Sequence, residues 1–427
     1  MRWKWKQARC KTDNEKFEMK DIIIVGGGYT GIAIKGYLKS KNIKIYEASN
    51  KIGGILKDLQ ISNNFFFQSC QYFNSNSFST NKLELTDDFY KFDHNYGSYT
   101  DIFGKKIICK NFAGPVYPGS INIKPIKKKN FKSLKDRIKI YPEEISFFLS
   151  QWFKKIGVNI EEAHHTAGTG FQASRIYCVA MKEKMKLIKK SSNIADQLYG
   201  LPRNNINLNK LQSLLPASGF NKYFEHLENI WKENIKLKTI CNPIKFNNKV
   251  YLNYGDKSEC PNMLLWTANP TPLFKKIFDV KLDSNKHHAE TLFGFLEKKI
   301  TTPFYIQVFS QYSNILRIYI YNINNRGCYT IEKAFDDTDD RTVVTQAQKI
   351  INNFFSVKLI KNLARKRSLR YFVYTVRDYE LINHYRKNNN IDNLIFTNFL
   401  SYGRDDKVKS IIQKMKTLTK YEREIIQ

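Results

Sequence analysis

Asp21-Ile22-Ile23-Ile24-Val25-Gly26-Gly27-Gly28-Tyr29-Thr30-Gly31 is the stretch that decides how this chain is read. Ile22 to Val25 is a short, continuously apolar run, the pattern of a parallel strand buried on both faces. Gly26, Gly28 and Gly31 then satisfy G-x-G-x-x-G. Gly26 permits a tight turn, Gly28 lets backbone approach a pyrophosphate, and Gly31 lets the next helix pack close to the strand. That helix is expected through Ile32 to Leu38, with an exit near Asn42. The free amides of its first turn, Tyr29 and Thr30 among them, would face the phosphates. A second strand, Ile43 to Tyr46, follows and ends in Glu47, a carboxylate placed to accept hydrogen bonds from a ribose diol. The order strand, glycine loop, helix, strand and acid predicts a dinucleotide cradle. Three glycines would weaken an ordinary helix start unless something must come close to it.

Glu47-Ala48-Ser49-Asn50-Lys51-Ile52-Gly53-Gly54 carries the choice of dinucleotide. It resembles the E-x(5)-G-G signature of the FAD-binding family that includes amine oxidases, protoporphyrinogen oxidases and UDP-galactopyranose mutases. NAD enzymes generally lack the second glycine pair, so the resemblance implies FAD. It also implies an α/β fold: a discontinuous Rossmann-like FAD-binding domain, a helical insert and an antiparallel-sheet substrate domain. The implied boundaries are a poorly ordered extension at 1–18 and FAD-binding parts at 19–75, 206–285 and 381–427. A mixed strand and helical substrate region lies at 76–205, and the antiparallel sheet at 286–380. Within the resemblance Cys241 would lie where backbone meets the adenine, and Thr267 at the end of a buried strand near the dinucleotide. Arg404 and Asp405, before the last helix, resemble the closing FAD motif of the mutases. Ala48, Gly53 and Gly54 complete the implied cofactor set. Gln71 stands where the family carries a histidine beside the flavin.

Pro142 to about Lys190 reads as helical, opening on Pro142-Glu143-Glu144. Leu215 to Phe220 leads into an amphipathic helix through Phe224, Leu227 and Trp231, and Ile235 to Cys241 reads as a strand. Residues 290 to 335 read as strands, the clearest being Ile315 to Tyr321. Alternation places Arg317, Tyr319 and Tyr321 on one face, and Leu316, Ile318 and Ile320 on the other. A cation with two phenols suits a diphosphate-bearing ligand. Arg317, Tyr319, Tyr321 and Arg175 are therefore the candidate catalytic residues, with Arg203 an alternative member of the clamp.

The chain has 427 residues, 42% of them hydrophobic, so it is long enough for two or three domains and is globular. Its formal charge is +31. The lysines are spread along the chain amid abundant Asn and Ile, which reads as compositional drift rather than a dedicated nucleic-acid face. Part of the charge is assigned to an anionic small-molecule substrate, such as a nucleotide-sugar. No run reaches the roughly 18 apolar residues of a membrane span. Seven scattered cysteines without C-x-x-C argue against disulfides and zinc, and make a reducing cytoplasm the simplest compartment. His164-His165 and His287-His288 show no metal spacing and are expected on the surface or in loops.

Two functions stay open on the resemblance. In the mutases reduced flavin attacks the anomeric carbon of a nucleotide-sugar for polysaccharide synthesis, while arginines hold the diphosphate. In the amine and protoporphyrinogen oxidases the flavin takes hydride. A third alternative is a basic, non-catalytic nucleotide- or nucleic-acid-binding protein, which the glycines argue against.

Overall fold

The computed structural model describes residues 21–39, 42–68, 71–122, 131–191, 193–203 and 212–418. The expected extension at 1–18 lies outside them, as does Cys70.

A five-stranded parallel sheet organises one side of the molecule. Its spatial order is Ile235–Lys236, Ile43–Tyr46, Ile22–Val25, Met263–Trp266 and Leu394–Phe396. The central strand Ile22–Val25 is buried at every residue, as its apolar run predicts. Helices Tyr29–Leu38 and Arg404–Leu418 pack against each other beside this sheet. The strand expected at 235–241 is shorter than its pattern suggested. Lys238 adopts φ +53°, which turns the chain away after Lys236.

The second layer is a seven-stranded sheet. Its order is Leu359–Val373, Asn285–Leu296, Arg326–Ala334, Ile315–Ile323, Phe304–Ser310, Asn95–Ile102 and Lys105–Lys110. All neighbours are antiparallel except Phe304–Ser310 with Asn95–Ile102, which run parallel. The sheet is therefore mixed, and two of its strands come from the region before the helical insert. A hairpin, Asp58–Ile61 with Asn64–Phe67, links the layers. Phe67 N–H donates to Tyr321 Oη at 3.1 Å, and Thr330 Oγ1 donates to Phe67 O at 3.0 Å.

In the insert, Glu143–Lys155 buries Ile145, Phe148, Leu149, Trp152 and Phe153, one stripe at helical spacing. Acids in its first turn and lysines in its last complement the helix dipole. The helical stretch does not continue to Lys190. It breaks at Gly157, φ +77°, and resumes at Ala167–Gly170 and Lys182–Ser191. His164 is buried rather than on the surface, its ring stacked on Tyr379 at 3.4 Å. His287 and His288 lie within strand Asn285–Leu296 rather than in a loop, at a register shift.

Candidate active site

Backbone alone forms the floor of the cradle. Gly26 turns the chain with φ +108°, and its N–H donates to Tyr46 O at 2.8 Å. A Cβ at Gly31 would stand 2.1 Å from Gly26 O, so only glycine lets this helix approach the strand. Gly28 caps helix Tyr29–Leu38 with extended backbone and no side chain. The first intrahelical bond runs from Ile32 N to Gly28 O, which leaves the amides before it to point outward.

The second glycine pair lies directly against this loop. Gly53 N–H donates to Gly27 O at 2.8 Å, and a Cβ on Gly54 would be 3.1 Å from Gly28 Cα. In contrast, among the described residues a Cβ on Gly28 would meet only Gly54 Cα, at 3.9 Å. Two glycine segments thus form one surface with open space above Gly28. Glu47 stands beside it, its carboxylate accepting from Gly27 N–H at 2.7 Å and from Ser49 N–H and Oγ at 2.8 Å each. About one of a carboxylate's four acceptor positions remains for a ribose hydroxyl. Ala48 is exposed next to it and Thr30 is half-buried.

The last helix braces the cradle. The Arg404 guanidinium lies 4.9 Å over the Tyr29 ring and donates to Tyr72 O at 2.8 Å. Asp405 accepts from Phe78 N–H and Ser79 N–H, both at 2.9 Å, and from Ser79 Oγ at 2.5 Å. Burial alone would raise its pKa, but the bonds from Ser79 and Phe78 hold it below the usual carboxylate range. Ser79 and Thr80 in turn meet Tyr29 Oη at 2.8 and 3.0 Å. Asp405, expected to face the cofactor, is a fastening between the last helix and the first. Thr267 plays a similar part, its Oγ1 lying 2.9 Å from Gly26 O and 3.1 Å from Val25 O. Cys241 is buried with Tyr46 and Trp266. Burial pushes its thiol up to about 12, so it stays protonated and is no nucleophile.

The candidate catalytic residues occupy other settings. Arg317 donates from Nη2 and Nε to Glu332 Oε1 at 2.5 and 3.2 Å, and the Glu332 side chain is fully buried. Tyr319 and Tyr321 are buried within the sheet's core. Tyr321 Oη, which lies 2.8 Å from Thr330 Oγ1, is an interior joint. The alternation is also interrupted. A register shift between Ile315 and Arg317 puts Ile315 with Ile318 and Ile320, while Leu316 packs into the insert. Arg175 lies in the insert, 3.7 Å from Asp196. Tyr321→Phe would leave the Phe67 N–H without an acceptor. A loss of about 1–3 kcal/mol in urea denaturation is expected, with no change in the absorbance of any bound cofactor.

Tyr72, His94, Tyr96 and Arg203 form a ladder not expected from sequence. Ring centroids are 4.0 Å apart for Tyr72 and His94 and 5.4 Å for His94 and Tyr96. Arg203 caps it, 4.5 Å over Tyr96, donating from Nη1 to His94 O at 3.0 Å and from Nε to Tyr96 Oη at 3.1 Å. Its Nη2 has no partner among the described residues. Only the i, i+2 spacing of His94, just before strand Asn95–Ile102, and Tyr96 within it hinted at the ladder. Beside Tyr72, Gln71 is buried with both amide atoms unpartnered among the described residues. A buried carboxamide ordinarily finds partners, so this position fits the polar edge of a bound group.

Solved structures resemble this arrangement along nearly the whole chain. Reduced UDP-galactopyranose mutase aligns with TM-score 0.61 and 13% identity, covering 93% of this chain and 94% of that one. A protein designated protoporphyrinogen oxidase, from Exiguobacterium sp. 255-15, aligns with TM-score 0.57 and 13% identity, covering 94% and 99%. Putrescine oxidase bound to putrescine aligns with TM-score 0.52 and 10% identity, covering 93% and 98%. The chain has the fold of the amine oxidase and UDP-galactopyranose mutase group. No protein-family model and no curated protein sequence matches it.

Burial gives the region a definite pH response. His94 is pushed down to about 3 by burial and by Arg203, and His164 to about 3 by burial and by His165. Unfolded, both would take up protons near 6.5, so their stabilisation is full above 6.5 and is lost as pH falls toward 3. Asp58 acts oppositely. Burial raises it to about 7 from 3.8, so its contribution is present at low pH and is lost as pH rises through 7. Between pH 7 and 5 each histidine is expected to cost about 2 kcal/mol, and Asp58 to return a similar amount. His165, pushed down to about 4 by burial and by Arg137, adds to the loss, so urea titrations should show a net loss for the parent as pH falls from 7 to 5 and a steeper one for Asp58→Asn.

Proposed function

We propose that this protein is a flavoenzyme. In this reading the parallel sheet is a Rossmann-like domain that holds FAD across the cradle, and the substrate is an anionic small molecule. The single observation that carries it is the meeting of the two glycine segments, with open space above Gly28 where a Cβ would find nearly nothing. The first-turn amides of Tyr29, Thr30 and Gly31 would grip the diphosphate. Glu47 would take a ribose hydroxyl, and Gly53 and Gly54 would let the chain pass close beneath. Gln71, with a donor and an acceptor both unspent among the described residues, would pair with a polar edge of the ring system. When bound, FAD supplies either hydride acceptance or, reduced, a nucleophile.

The leading substrate is a nucleotide-sugar, with an activity similar to that of UDP-galactopyranose mutase in surface-polysaccharide synthesis. Arg203 supports it, since its Nη2, without a partner among the described residues, is a ready donor at the end of an aromatic ladder that begins beside the cradle. A second reading, an oxidoreductase of the amine-oxidase or protoporphyrinogen-oxidase type, is favoured by the state of Arg317 and Arg175. Each already faces a carboxylate, which leaves a diphosphate clamp half built.

An absorbance spectrum of the purified protein tests the shared claim. Flavin bands that are released on denaturation are expected, and a colourless protein that takes up no added FAD would overturn it. Turnover then separates the readings. A mutase needs reduced flavin but consumes no reductant per cycle, whereas an oxidase consumes oxygen in step with substrate.

A further inference from the structure

Helix Arg404–Leu418 follows strand Leu394–Phe396, so it begins at the border of the parallel sheet where the strands end. Ligands of such open sheets sit in the crevice outside that border. Helix Tyr29–Leu38 begins at the same border, and the two helices pack together. Two cations stand one turn apart at the start of the last helix, Arg404 and Lys407. The Arg404 guanidinium ties this pair to the cradle, since it lies 4.9 Å over the ring of Tyr29, the first residue of the other helix.

Neither cation forms an ion pair among the described residues. The acids between them in sequence are already committed. Asp405 accepts from the amides of Phe78 and Ser79, and Asp406 Oδ2 accepts from Ser401 Oγ at 3.0 Å. Arg404 spends one nitrogen on Tyr72 O, and Lys407 Nζ makes no hydrogen bond to a described residue. Both side chains are partly withdrawn from water. Burial lowers the pKa of each, and Arg404 lowers that of Lys407 further. Two like charges set side by side with little water disfavour the empty fold. An anion with more than one negative charge, placed against both, reverses that penalty.

We infer that Arg404 and Lys407 together bind the diphosphate of the nucleotide cofactor, adding two charged donors to the amides of the glycine loop. The inference rests on the flavin reading and deepens it. Charge selects the diphosphate over the ring system, because it carries two permanent negative charges while oxidised flavin is neutral. Arg404 supplies a planar fork and Lys407 a point charge. Lys407 thereby lowers the stability of the empty protein and raises its affinity for the nucleotide. A lysine with only a packing role would do the opposite in the first measurement.

Calorimetric titration of the cofactor-free, full-length protein with FAD and with ADP, paired with urea denaturation, tests this on Lys407→Met, which keeps an unbranched apolar stem. Lys407→Gln serves if the methionine variant is poorly soluble. FAD and ADP should each bind about tenfold more weakly, or worse, than to the parent. The urea midpoint of the empty protein should rise. Lys407→Arg should keep most of the affinity. Unchanged affinity for both ligands in Lys407→Met would overturn the inference. A loss confined to FAD would overturn it too, because the charge would then belong beside the ring system. A lowered urea midpoint would assign Lys407 a structural role instead. A parent that binds neither ligand would remove the flavin reading and this pair with it, whereas a parent that binds both as tightly as its variant does would remove the pair alone.

Discussion

Gly28→Val is expected to abolish FAD binding while leaving the fold intact. At most glycines in this chain a side chain would collide with protein, so loss of function and loss of structure could not be separated. Gly31 is such a case, because its Cβ would meet Gly26 O at 2.1 Å. Gly28 differs, since among the described residues an added Cβ would meet only Gly54 Cα, at 3.9 Å. A valine there projects into the space assigned to the diphosphate and little else. Equilibrium binding of added FAD should fall by two orders of magnitude or more, a loss of about 3 kcal/mol. The urea midpoint of the cofactor-free protein should hardly move. A variant that keeps its flavin would refute the cradle.

The largest stability effect is expected at Arg317. Its pattern on the strand suggested a substrate clamp, but its guanidinium faces the fully buried Glu332 side chain. Removing one member of a buried ion pair costs about 3–5 kcal/mol, because the remaining charge loses its counterion. Arg317→Met should therefore lower unfolding free energy by about that amount, and Arg317→Met with Glu332→Met should recover most of it. A clamp residue would behave differently: the single variant would unfold normally, and KM for an anionic substrate would rise. Measuring both quantities on the same preparation decides which role Arg317 holds.

The cradle was legible because its signal is local. Glycines at Gly26, Gly28 and Gly31 answer to steric limits within a few residues, and the strands Ile22–Val25 and Met263–Trp266 announce themselves by unbroken apolar runs. Partners across the sheet were not legible. Alternation told which way Arg317 and Tyr321 lean, but Glu332, Phe67 and Thr330 come to them only through pairing of distant strands. The register shift beside Leu316 broke the alternation itself. The strand Leu359–Val373 was missed because it carries five lysines and arginines and no clean period. It occupies the sheet's edge, where charge discourages pairing with another chain. Asp405 shows the same limit. Its motif pointed toward a cofactor, and the backbone of Phe78 and Ser79 claimed it first.

The parallel sheet also sets a timetable for synthesis. Its strands are drawn from residues 22–25, 43–46, 235–236, 263–266 and 394–396, so the glycine loop is made well before its brace. During translation the Met263–Trp266 edge waits, unpaired, for more than a hundred further residues before Leu394–Phe396 can cover it. Such a late closure exposes a flat apolar border to neighbouring chains. A nascent polypeptide released before that strand emerges should thus be captured by chaperones or aggregate, and early capture of the nucleotide would be the natural safeguard.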